Sequence, residues 1–155
     1  MAARYSIIAD AFALTTTAKT ACNVIASSTL PVRIVEIGVS VPQTTGYCFV
    51  EMFESTQGAA GTATTTGAKQ IGGYTAGTDG TPNATYGRKY SAEPTTLTVV
   101  ASWRFPCPGP FCLQWPLGRE FESLLSGSTN HKAIGFRLSM DSGTPNCDAY
   151  LWWEE

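Results

Sequence analysis

The segment Val32–Val41, which reads VRIVEIGVSV, alternates apolar and polar side chains with a period of two residues. Glu36 and Ser40 fall on one face of an extended strand in this register. The apolar side chains of the opposite face are Val35, Ile37, Val39 and Val41. This alternation predicts a β-strand with one face in a core, and the same period recurs along the chain.

Further segments with β patterning lie on both sides at spacings typical of hairpins. The strongest are residues 47–54, 97–105, 133–140 and 149–153, and weaker ones are residues 4–9, 23–27 and 112–116. Residues 47–54 are apolar on both faces, which indicates a strand covered on both sides. In residues 97–105 the odd-numbered side chains, including Val99, are predicted to face the core. Residues 121–125 fit a short strand better than a helix.

Eight or so short strands without a helical period predict an all-β fold, an antiparallel β-sandwich of jelly-roll type. The chain shows no internal repeat and no interdomain linker, so residues 1–155 are expected to form a single domain. Charged residues make up 14% of its 155 residues, against roughly 25% in ordinary globular proteins.

Residues 55–92 interrupt the strand pattern with a long stretch rich in Thr, Gly, Ala and Ser. Such a composition buries too little apolar surface to offset the entropy of ordering the chain. Loops of this length inside a compact domain are usually functional or disordered. We therefore interpret residues 55–92 as a long loop or arm, ordered by neighbouring subunits in an assembly.

Two classes of partner are not expected. The net charge is −2 and the only basic pair is Arg88-Lys89, so the chain lacks the electrostatic footprint of a nucleic-acid-binding protein. No window approaches the roughly 20 apolar residues that span a bilayer, so no membrane association is expected. The apolar run near the start is interrupted at Asp10 and is too short for a secretory signal.

The cysteine pattern predicts neither a metal site nor a redox centre. Five cysteines are present, so at least one stays unpaired if the others pair within the chain. Buried, reduced thiols are favoured, and a local bridge between Cys107 and Cys112 stays open. Their spacing matches neither a zinc knuckle nor a C-x-x-C motif. His131 is the only imidazole, so no metal and no cofactor are predicted.

No constellation of residues points to catalysis. His131 lies in a polar stretch typical of a hairpin tip, and no nucleophile elbow is present. Glu120 with Glu122, and Glu154 with Glu155, are paired carboxylates of the kind that glycosidases use. We interpret both pairs as solvated or interface charges, so the chain is not predicted to be an enzyme.

Aromatic residues are the remaining candidates for function. Trp152 and Trp153 are neighbours on one strand and must point to opposite faces, so one of them is expected outside the core. The tyrosines of residues 55–92 either anchor a partner or pin the loop to its own domain. The predicted partner interface comprises Tyr74, Tyr86, Arg88, Lys89, Tyr90 and Trp152.

Several short motifs resemble those of a family of small proteins encoded among the virion genes of tailed bacteriophages. They are ARYSI at residues 3–7, VRIVEIGV at 32–39, YSAEPT at 90–95, and the terminal strand ending Trp153-Glu154. The corner at residues 107–112 departs from the family pattern. The resemblance implies a β-sandwich virion protein, plausible as a capsid decoration (cement) protein, and supplies no catalytic residues.

The resemblance further implies that the protein is made in the host cytoplasm and sits on the capsid surface of the virion. Its partners would then be the major capsid protein and itself, as a homotrimer. The alternative is a head-fibre or receptor-binding jelly-roll module that recognises host surface carbohydrate. Trp152 or Trp115 would serve as the sugar platform in that case.

Overall fold

The chain forms β-strands throughout the part that the structure describes. In a computed structural model these described residues are 3–27, 30–42, 45–56, 63, 68–71, 82, 84–94, 96–116, 118–123 and 132–155. Over them the strands are β1 Arg4–Ala13, β2 Lys19–Ile25, β3 Val32–Val41, β4 Tyr47–Thr56, β5 Lys69–Ile71, β6 Thr85–Arg88, β7 Leu97–Pro106, β8 Gly109–Gln114, β9 Phe121–Ser123, β10 Lys132–Met140 and β11 Asn146–Glu154. No helix occurs in these ranges.

The strands form two antiparallel sheets that pack face to face. Sheet A has the order β5-β1-β11-β3-β8, with β9 also paired to β3. Sheet B has the order β6-β2-β10-β4-β7. The predicted all-β sandwich is therefore confirmed, and each strong or weak strand segment predicted from the alternation lies within or overlaps an observed strand.

The core lies between the two sheets and is formed by their inward-facing apolar side chains. Trp153 is the largest fully buried side chain, and its ring stacks on Tyr5 at a centroid distance of 5.5 Å. Ile37 from sheet A and Phe136 from sheet B are also fully buried. Burying one such side chain contributes roughly 1.5–3 kcal/mol, so this layer dominates the stability of the sandwich.

A β-bulge in β3 corrects the predicted placement of Val35. The pairing with β11 passes from Trp152 opposite Glu36 to Trp153 opposite Ile34, so Val35 is the extra residue. The alternation changes phase at this residue. Ile34 enters the core at 0% exposure, whereas Val35, although only 8% exposed, lies outside the core cluster and lines a cavity.

A second bulge corrects the predicted burial of Val99 in β7. Met52 pairs with Ala101 and Phe53 pairs with Val99, which leaves Val100 as the extra residue. β7 is the last strand of sheet B, so nothing in the described residues pairs with its free edge. Val99 is 39% exposed and Val100 is 42% exposed, contrary to the inward position that strict alternation gives to Val99.

Parts of residues 55–92 belong to the sheets of their own domain. Lys69–Ile71 pairs with β1, and Thr85–Arg88 pairs with β2. These two stretches are strands of the described domain, and the interpretation of residues 55–92 as an arm ordered by neighbouring subunits stays a prediction. The rest of the segment, including Tyr74, lies mostly outside the described residues, and so does His131.

All five cysteines lie in the described residues and are free thiols. Cys22, Cys48, Cys107 and Cys147 are buried, as predicted, whereas Cys112 is exposed and forms no bridge to Cys107. Burial raises the pKa of Cys48 and of Cys147 to about 12. Protonated, buried thiols of this kind are poor nucleophiles, so these two act as small apolar side chains.

Candidate functional site

The outer face of sheet A carries apolar and aromatic side chains that are exposed or partly exposed. Strand register places its side chains in two parallel rows that cross from β1 to β8. One row contains Ser6, Trp152, Glu36 and Gln114, and the other contains Ile8, Tyr150, Gly38 and Cys112. These residues come from four separate strands, so only the fold brings them together.

Three side chains of this face form an apolar patch, which we call the aromatic ridge: Ile8, Tyr150 and Trp152. Ile8 is 52% exposed, and the two rings are partly exposed. The ring centroids of Tyr150 and Trp152 are 5.7 Å apart with an interplanar angle of 44°. The outward face of a two-sheet sandwich is normally polar, and contiguous apolar patches of this kind mark interaction sites.

The ridge confirms the prediction that Trp152 and Trp153 point to opposite faces. Trp153 is fully buried in the core, whereas Trp152 lies on the outer face of sheet A. Ile8 and Tyr150 were missed by the sequence analysis. The signal that would have found them is the presence of apolar residues at the outward-facing positions of β1 and β11, between the inward-facing ones.

Tyr150 is held in place by polar neighbours on β3 and β8. Its hydroxyl donates to Glu36 Oε1 at 2.5 Å, and Cys112 Sγ lies 3.6 Å from both the hydroxyl and the carboxylate oxygen. Desolvation first, and then the hydrogen bond to Glu36, raise the pKa of Tyr150. The phenol therefore stays protonated and keeps its donor role at neutral pH.

Gly38 provides the space in which the Tyr150 ring lies. A Cβ at position 38 would come within 2.1 Å of Tyr150 Cε1, a contact that real Cβ atoms do not make. Beside the ring is an apolar cavity of about 210 Å³, lined in part by Ile8, Val39 and Phe111. The position of the Tyr150 ring is therefore restricted, and the cavity beside it has room for a side chain of a binding partner.

A second cavity lies at the other end of the same face, and we call it the Trp115 cavity. Its volume is about 370 Å³, and it is lined by Arg4, Val35, Gln114, Trp115, Pro116, Glu120 and Glu154. Glu120 Oε2 accepts a hydrogen bond from the Gly118 N–H at 2.8 Å, and Glu154 forms an ion pair with Arg4. One carboxylate of each predicted pair therefore lies at this cavity.

The other two carboxylates have structural partners elsewhere. Glu122 lies 3.4 Å from Arg33 Nε in a cross-strand ion pair, and Glu155 Oε2 accepts from the Ala84 N–H at 2.9 Å. The chain pairs Glu120/Glu122 and Glu154/Glu155 are therefore split by the fold. The two members of each pair lie at different sites, although they are close in the sequence.

The basic pair Arg88-Lys89 contacts its own domain. Arg88 Nη1 donates to the Ile8 carbonyl at 2.6 Å and to Asp10 Oδ1 at 3.1 Å, and Lys89 Nζ lies 2.9 Å from the same carboxylate oxygen. The hydrogen bond from Lys89 holds the pKa of Asp10 below its usual value. These contacts join β6 of sheet B to β1 of sheet A at one edge of the sandwich.

The two described tyrosines of the predicted interface also face inward. Tyr90 is 5% exposed, and its hydroxyl donates to Asn23 Oδ1 on β2. Tyr86 is half-buried and lies 6.0 Å from Trp153, ring centroid to ring centroid. At both residues the geometry favours the alternative interpretation, in which the rings pin the segment to its own domain.

Comparison of the chain with protein-family models, with curated proteins and with solved structures gives no match. Function must therefore be argued from the site itself. In the described ranges no helix is long and apolar enough to cross a bilayer. Across the same residues, no group of three or more His, Cys, Asp or Glu side chains is placed to hold a metal ion.

Proposed function

We propose that the protein is a structural virion protein, a capsid decoration (cement) protein that binds the outer head surface and stabilises contacts between capsid subunits. The observation that carries this proposal is the aromatic ridge. Ile8, Tyr150 and Trp152 form one patch on a sheet face that has no second layer in the described residues. A partner surface that covers this patch would remove its apolar area from water.

The strand pairing supports a jelly-roll fold, which is common among viral capsid domains and lectins. The pairs are nested from the ends of the chain inward: β1 with β11, β2 with β10, β3 with β8, and β4 with β7. A long hairpin wrapped into two sheets has this nested order. The resemblance of residues 3–7, 32–39 and 90–95 to tailed-phage virion proteins points the same way.

The low charge of the chain also supports a surface that is covered in use. Only 14% of the residues are charged, so few charges need to be desolvated when two surfaces meet. A closed homotrimer would match a three-fold position in a capsid lattice, because cyclic symmetry repeats one interface three times.

The mechanism follows from mass action. A protein that binds the assembled lattice and not its separated subunits stabilises the lattice by RT ln(1 + [L]/Kd) per site. At a free concentration 100 times the Kd this amounts to about 2.7 kcal/mol per site. Many repeated sites on one head would then oppose the internal pressure of packaged DNA.

The test is co-sedimentation with heads that lack the decoration protein, together with light scattering on the free protein. Wild type is expected to sediment with heads, to elute as a trimer, and to raise the temperature at which heads release DNA. The double variant Ile8→Ser with Trp152→Ser should bind at least about 30-fold more weakly, as expected for residues at the centre of an interface.

Leu30→Ser is the matched control, since Leu30 is 37% exposed in the connection between β2 and β3, away from the ridge. It should bind heads like wild type. A monomeric wild-type protein that does not bind heads would contradict the proposal. A double variant that folds normally and binds heads as tightly as wild type would also contradict it.

A further inference from the structure

We infer that the Trp115 cavity is a binding site for a neutral saccharide. This site is separate from the aromatic ridge, and it stands whether or not the protein decorates a capsid. It combines an aromatic ring with side chains that accept and donate hydrogen bonds, which are the two surfaces that a sugar ring presents. The volume of about 370 Å³ lies within the roughly 300–1,000 Å³ of small-molecule pockets.

Trp115 is the aromatic residue that lines the site, and partial packing against the core limits its movement. The backbone N–H of Trp115 donates to the Val35 carbonyl at 2.9 Å, at the bulge of β3, and this bond fixes the main chain from which the side chain projects. The side chain packs partly against the core, while its remaining surface lines the cavity. An aromatic face held in this way can stack against the C–H face of a pyranose without first losing rotamer freedom.

The polar side chains around the ring suit hydroxyl groups. Glu120 and Glu154 each have one oxygen engaged, by the Gly118 N–H and by Arg4 respectively, so each keeps acceptor capacity toward the cavity. The exposed side chain of Gln114 adds one acceptor and a donor. Fixed carboxylates form strong charge-assisted hydrogen bonds with hydroxyl donors.

Other ligand classes fit this lining less well. Two carboxylates and one guanidinium give the cavity a net charge of −1, which disfavours phosphates and other anions. One aromatic ring does not make the cage that quaternary ammonium groups prefer. Among the described residues no third carboxylate, Cys or His joins Glu120 and Glu154, so a divalent cation lacks ligands.

The test is titration of the isolated, folded protein with glucose, galactose, mannose and N-acetylglucosamine, followed by NMR of the tryptophan indole signals. At least one sugar is expected to bind in the millimolar range and to shift the Trp115 signal. Glu120→Gln keeps the size of the side chain and the acceptor for Gly118, yet should weaken binding about tenfold by removing the charge. Trp115→Phe should cause a smaller loss than Trp115→Ala.

Glu122→Gln is the matched control, since Glu122 lies two residues after Glu120, in β9, and pairs with Arg33 outside the cavity. It should leave sugar binding unchanged. The inference is overturned if none of the four sugars binds, if Glu120→Gln binds like wild type, or if only choline or inorganic phosphate shifts the Trp115 signal. Because no heads are present, these results do not depend on the proposed capsid function.

Discussion

At the scale of single residues, the buried contact between Tyr90 and Asn23 is expected to contribute measurably to stability. Asn23 is fully buried, and its Nδ2 has no partner among the described residues, so the Tyr90 hydroxyl is its side chain's only hydrogen bond there. Tyr90→Phe should lower the free energy of unfolding by about 1–3 kcal/mol, because it leaves a buried amide unpaired.

Urea unfolding measures this change, and Tyr86→Phe provides the comparison. The Tyr86 ring is half-buried and lies 6.0 Å from the Trp153 ring, centroid to centroid, so loss of its hydroxyl should change stability little. If Tyr90→Phe is as stable as wild type, the hydrogen bond between Tyr90 and Asn23 does not contribute to the free energy of unfolding.

Asp10 predicts a pH dependence whose sign follows from its lowered pKa. The hydrogen bond from Lys89, with the charges of Lys89 and Arg88, favours the carboxylate in the folded state. A group with a depressed folded pKa contributes stability that is fully present above its unfolded pKa, about 3.9 for Asp. That contribution is lost as the pH falls from about 4 through the folded pKa.

Asp10→Asn should therefore flatten the stability profile between neutral pH and pH values below about 4. Chemical unfolding at a series of pH values measures the profile. Asp141→Asn is not a suitable control, because Asp141 accepts from the Tyr47 N–H. Glu122→Gln is suitable, because the Glu122 carboxylate pairs with one exposed cation, Arg33 at 3.4 Å, whereas Asp10 contacts both Arg88 and Lys89. If the free energy of unfolding of Asp10→Asn varies with pH in parallel with that of wild type, Asp10 does not contribute to the loss of stability in acid.

At the scale of elements, β6 is expected to be protected in the isolated protein. Thr85–Arg88 pairs with β2 through four residue positions, and Arg88 and Lys89 tie its end to Asp10. Amide exchange at Gly87 and Lys89 should therefore be slow without any partner, because the Lys89 N–H donates to the Ala21 carbonyl and Gly87 faces β2 in the same register. Exchange as fast as in an unstructured peptide would support the interpretation of this stretch as an arm that is ordered by a neighbouring subunit.

The two bulges show what the alternation of side chains can and cannot predict. The period of two locates β3 and β7 correctly, because it depends on local sequence alone. The bulges at Val35 and Val100 depend on pairing with β11 and β4, partners that are distant in sequence. A single extra residue reverses the phase, so Val35 and Val99 were assigned to the wrong face.

At the scale of the whole molecule, the fold class could be predicted, but of the candidate site only single residues such as Trp152 could, and not their neighbours. Strand periodicity and turn residues are local signals, and they were sufficient for an all-β sandwich. The ridge unites Ile8 near the start of the chain with Tyr150 and Trp152 near its end. The Trp115 cavity likewise joins Glu120 to Glu154. Such neighbourhoods follow from register, which a single sequence does not specify.

The state of the five thiols gives a test of the whole fold. Cys112 is the only exposed cysteine, and the other four are buried between the sheets. A water-soluble maleimide should therefore label one thiol rapidly in the native protein. The remaining four should react only at the rate of opening, which reports the stability of the sandwich. Cys112→Ser should abolish the rapid phase and leave the slow phase unchanged. Rapid labelling of two or more thiols would show that the end of the core near Cys107 opens locally.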